Sequence, residues 1–103
     1  MIRKLLGATL LLLLFLNVPA TAGENITVEV LNFSDMDRWV RVTDKVCGTV
    51  LWEDNLDAQR RLPVELCTND GGKGTVELYI RIGCSKNKTI LKAGVEDGAT
   101  VQF

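Results

Sequence analysis

From Val76 to Ile82 the chain alternates apolar and polar residues without a break. Val76, Leu78, Ile80 and Ile82 fall on one side of a pleat, and Glu77, Tyr79 and Arg81 on the other, with Thr75 before them. Successive side chains of a strand point to opposite faces, whereas the apolar residues of a helix recur every three to four positions. The segment Gly74 to Cys84 therefore reads as a half-buried strand, and a half-buried strand needs both neighbours beside it and a layer against its apolar face.

The rest of the chain supplies them. Ile26, Val28 and Val30 alternate in a first strand ending near Asn32. A second runs from Arg38 to Thr43, with Val40 and Val42 on one face and Trp39, Arg41 and Thr43 on the other. Thr49 to Trp52 reads as a short third strand, followed by an acidic loop over Glu53, Asp54, Asn55, Leu56 and Asp57. Leu62, Val64 and Leu66 mark a fourth strand, which begins near Pro63 or lies at an edge, because proline cannot donate to a ladder. The cluster Thr68 to Gly74 is a hairpin connection, Thr89 to Lys92 a sixth strand, and Ala99 to Phe103 a seventh. Seven short strands spaced by about 8 to 12 residues, with no helical periodicity among them, predict an all-β domain. We expect a small immunoglobulin- or fibronectin-like β-sandwich of antiparallel strands.

Ahead of this pattern, Arg3 and Lys4 precede an apolar run from Leu5 to Leu16 and the small residues Pro19-Ala20-Thr21-Ala22. This is the layout of a secretory signal peptide over residues 1–22, leaving one domain over 23–103 that is secreted or periplasmic. The run is broken by Asn17 and Pro19 short of the roughly 20 apolar residues of a spanning helix, so no membrane attachment is expected after cleavage. Cleavage takes away two basic residues and no acidic one, leaving ten against thirteen, a balance of −3. With Arg60-Arg61 as the densest basic pair, nucleic acid is not an expected partner.

An exported chain with Cys47, Cys67 and Cys84 holds one bridge and one thiol over. Strand parity favours Cys47 with Cys67, ahead of Cys67 with Cys84. Cys84 then continues the inward face of Val76 to Ile82, which makes it a buried free thiol; exposed instead, it could join two copies into a disulfide-linked homodimer.

Candidate chemistry is sparse. The chain contains no histidine, the commonest general base and metal ligand near neutral pH, and its two serines, Ser34 and Ser85, fall in turns. The carboxylates Glu53, Asp54 and Asp57 miss the spacing of a calcium loop. Gly71-Gly72-Lys73-Gly74-Thr75 departs from a phosphate loop in spacing and in joining two strands. No catalytic residue, metal or cofactor is assigned. Asn25, Asn32 and Asn87 each open an Asn-x-Ser/Thr triplet that could carry a glycan in a eukaryotic secretory protein.

What remains is a set of nominally solvent-facing residues: Trp39 and Arg41 on the second strand, Tyr79 and Arg81 on the fifth. Were these strands adjacent, they would form an aromatic and arginine patch of the composition enriched at binding surfaces; the bland alternative is ordinary cross-strand pairing. The sequence thus points to a non-catalytic binding module for a protein or glycan partner. Its rivals are an assembly protein joined through an edge strand or the spare thiol, and a small carboxylate-dependent enzyme.

Overall fold

A computed structural model of the chain describes residues 24–103; the leader expected over residues 1–22 lies outside them. Seven strands follow in order: β1 (Ile26–Leu31), β2 (Arg38–Asp44), β3 (Thr49–Leu56), β4 (Arg61–Leu66), β5 (Gly74–Arg81), β6 (Asn87–Val95) and β7 (Thr100–Gln102). They form two sheets, one of order β4-β1-β7 and one of order β3-β2-β5-β6. No helix occurs among the described residues.

The alternation dictates the layering. Ile26, Val28 and Val30 from β1 and Val64 and Leu66 from β4 face Val40, Val42, Val76, Leu78 and Ile80 from the other sheet, and all ten are buried. Each such side chain removed from water contributes about 1.5 to 3 kcal/mol. Trp52 and Leu51 pack against the margin of this core. At the start of β5 the sheets come so close that a Cβ on Gly74 would lie 3.1 Å and 3.3 Å from Leu66 atoms and 3.2 Å from Ile26. Glycine opens the central strand where any side chain would press on Leu66 and Ile26.

Pro63 sits in β4 opposite Glu29, and β4 is an edge of its sheet, so the missing N–H costs no ladder bond. Three expectations need correction. The strands are not all antiparallel: β7 pairs with β1 in parallel, Val30 opposite Val101. The acidic residues Glu53 and Asp54 belong to β3, which runs on to Leu56 with a register shift at Val42/Thr43. Charge alone suggested a loop there, but β3 is an edge strand: Glu53, opposite Arg41, faces water on the outer side, and Asp54, though opposite the buried Val40, is still exposed at the sheet margin. Finally, Cys84 is not buried. β5 ends at Arg81, Ile82 is already 39% exposed, and its N–H bonds the Lys86 carbonyl at 2.9 Å, turning the chain before the parity reaches Cys84.

Cys47 and Cys67 form the disulfide, with Cα atoms 5.9 Å apart. Bridges of this kind form and persist in oxidising compartments. Asp44, the last residue of β2 and 2% exposed, organises it: Oδ1 accepts the N–H groups of Val46 and Cys47, and Oδ2 accepts that of Cys67 at 2.8 Å. Asn32 does the same at the other end. Its Nδ2 donates to the carbonyls of Met36 and Leu56, and its Oδ1 accepts from the N–H and hydroxyl of Ser34.

Candidate functional site

β2 and β5 are neighbours, with Arg41 opposite Tyr79 and Val40 opposite Ile80. Since Val40 and Ile80 are buried, the alternate residues Trp39, Arg41, Tyr79 and Arg81 all lie on the outer face of the four-stranded sheet. The register arranges that face in rows. Glu53, Arg41, Tyr79 and Thr89 form one; beside it Asn55 stands opposite Trp39, and Arg81 opposite Asn87.

Within these rows the four residues interlock. The rings of Trp39 and Tyr79 meet edge to face, centroids 6.3 Å apart and planes at 85°. The Arg41 guanidinium carbon stands 5.5 Å from the Trp39 centroid and 5.4 Å from that of Tyr79, and the Arg81 guanidinium lies over Trp39 at 4.0 Å. A cation over an aromatic face at an exposed site contributes about 0.5 to 1 kcal/mol, enough to fix rotamers and far from enough to hold the fold. Arg41 is also held by Glu53, Nε to Oε2 at 2.7 Å. Arg81 is different: no carboxylate among the described residues comes within ion-pair distance of it.

The four residues expected to form a patch are thus brought together. Glu53 joins them and was missed, because its reading as a loop residue hid the cross-strand position opposite Arg41. Glu77, two residues along β5, faces Thr43 and Leu91 on the same face.

Other candidates are spent on structure. Asp44, Cys47 and Cys67 bring three possible ligand atoms within 4.8 Å of one another. Both sulfurs are consumed in the disulfide, and the carboxylate is occupied by three N–H groups. Asp57 pairs with Arg60 at 3.5 Å. Of the three triplets, Asn25 and Asn87 are exposed, whereas both amide hydrogens of the buried Asn32 are donated inside the fold. A glycan on Asn32 is incompatible with that arrangement. Cys84 is exposed and free in the β5–β6 hairpin.

No family model matches the chain, and no curated protein or solved structure matches it either.

Proposed function

We propose that this protein is an exported, non-catalytic binding module that meets a macromolecular partner through the outer face of its four-stranded sheet. The observation that carries the reading is the interlocked Trp39, Arg41, Tyr79 and Arg81 on an uncovered sheet face. Aromatic and arginine side chains whose rotamers are already fixed lose little entropy on association, which is why such residues dominate binding energy at interfaces.

The fold is read as immunoglobulin-like. β1 and β4 take the places of strands B and E, while β3, β2, β5 and β6 take those of C′, C, F and G. β7 fills the place beside B that strand A holds in that layout, entering from the far end of the chain and therefore in parallel. Export rests on the signal-peptide pattern of residues 1–22 together with the disulfide.

Assembly through an edge strand is less well supported, because the edges are blunted. Lys88 and Lys92 stand opposite the buried Ile80 and Val76, so the edge strand β6 carries charges at inward-facing positions, and β4 carries Pro63. The exposed Cys84 does support a second reading, a homodimer bridged by that thiol. Intact mass without reductant decides it.

The binding face is tested by placing a photoreactive residue at Thr89, opposite Tyr79, and as a control at the exposed Glu65 on the other sheet. Adducts formed in the protein's native medium from position 89, absent from position 65 and lost on Trp39→Ala, are the expected result. Equal adducts from both positions, or none from either, would sink the reading.

A further inference from the structure

We infer that the end of the sandwich where β5 turns into β6 binds an acidic polypeptide segment carrying one apolar side chain. This rests on the binding-face reading and gives the partner a chemistry. Three observations converge on it.

The first is charge. From Arg81 to Lys92 the chain carries Arg81, Lys86, Lys88 and Lys92 and no acidic residue, in a protein whose net charge is −1. Arg38 joins them from the start of β2, its Nη1 donating to the Ile82 carbonyl at 2.9 Å. Of the carboxylates on the adjoining β1–β2 loop, Asp37 is turned to the Ala58 N–H, leaving Asp35 to oppose these cations. Glu53 is engaged by Arg41.

The second is the state of Arg81. Held over Trp39 and without an ion pair among the described residues, its guanidinium is positioned while its N–H edge is unspent. That edge matches a carboxylate with two parallel hydrogen bonds.

The third is a pocket at the same end, of about 160 Å³, lined by Ser34, Arg38, Ile80, Ile82, Lys88 and Phe103. Its walls are apolar and its rim cationic. A volume near 150 Å³ holds a group the size of benzene. One aliphatic or aromatic side chain fits, with flanking carboxylates reaching Lys88 and Arg38. A sugar chain suits the place less well, since Arg81 and Arg41 already lie against the Trp39 ring on which it would stack.

The test uses a short Glu/Asp-rich peptide with one central leucine, titrated into the oxidised protein by calorimetry and followed by amide shifts. Comparison probes are its Gln/Asn counterpart, the acidic peptide with alanine for leucine, a sulfated glycan, and phosphatidylcholine vesicles containing phosphatidylserine. Expected is binding of the acidic peptide that weakens with salt, falls about tenfold or more for Arg81→Gln and for Lys86→Gln/Lys88→Gln, and weakens on leucine-to-alanine replacement. Arg61→Gln, a charge removed from the other sheet, leaves it unchanged. The inference is overturned if the uncharged peptide binds equally, if Arg61→Gln is as damaging, if only the glycan or the vesicles bind, or if the acidic peptide does not bind. Photo-adducts from position 89 that survive the Arg81 and lysine changes would remove the acidic segment and leave the binding face standing; absence of adducts from any face position would remove both.

Discussion

The Asp44 carboxylate accepts the backbone N–H of Cys67 at 2.8 Å across 23 residues of chain, so the end of β2 and the far half of the disulfide are tied by a hydrogen bond as well as by sulfur. The turn that presents Cys47 is shaped by the same side chain. Because the group is buried and all three of its bonds are to main chain, Asp44→Ala removes the acceptor of three N–H groups at once. A loss of about 2 to 4 kcal/mol is expected, read as a shift in the urea midpoint with an unchanged slope. A change under 1 kcal/mol would show that the disulfide alone positions this turn.

The narrow gap beneath Gly74 makes a second prediction. Gly74→Ala pushes a methyl group against Leu66 and Ile26 and should cost about 1 to 3 kcal/mol. Gly83→Ala, where nothing lies within 4 Å of the new atom, should stay within about 0.5 kcal/mol of the parent. Equal costs at the two sites would mean that the sheets do not approach as described.

Thiol chemistry separates the three cysteines. In native buffer a maleimide should label Cys84 rapidly and nothing else, since Cys84 is exposed and Cys47 and Cys67 are joined. Removing the bridge by Cys47→Ser/Cys67→Ser should cost roughly 3 kcal/mol, the entropy of a 20-residue loop released into the unfolded chain. Slow labelling would contradict the exposed hairpin.

Acid sensitivity has a defined sign at one surface pair. The hydrogen bond and charge of Lys73 hold the Glu96 carboxyl below its ordinary value. A depressed folded-state value contributes stability that is present above the unfolded carboxylate value, about 4.3, and is lost as pH falls through the folded one. A proton titration of Glu96 followed by NMR should therefore midpoint below the ordinary glutamate value, and Lys73→Met should erase the difference. The pair is open to water, so added salt should narrow the gap as well.

Much of this was legible in the chain. The period-two pattern located the strands, and the parity of Trp39, Arg41, Tyr79 and Arg81 put them on one kind of face. Their adjacency was not legible, because it depends on β2 pairing with β5 past β3 and β4, which go to different sheets, a non-local choice that alternation does not encode. Glu53 was hidden by its charge, which a solvent-facing strand position tolerates as well as a loop does. Cys84 was misplaced because parity was extended past the last ladder residue, where the Ile82 to Lys86 turn cancels it. Asp44 lies just past the alternating residues of the second strand, and only the three-dimensional convergence of three N–H groups shows why a charge is buried there.

The parallel pairing of β1 with β7 has a consequence in time. Glu29 finds its partner Thr100 some seventy residues later, and the N–H of Thr27 is bonded by the side chain of Asp97. Until those residues have left the ribosome, β1 has one open flank, so an early strand of the domain is among the last to be sealed. Loop closure over such a distance slows folding.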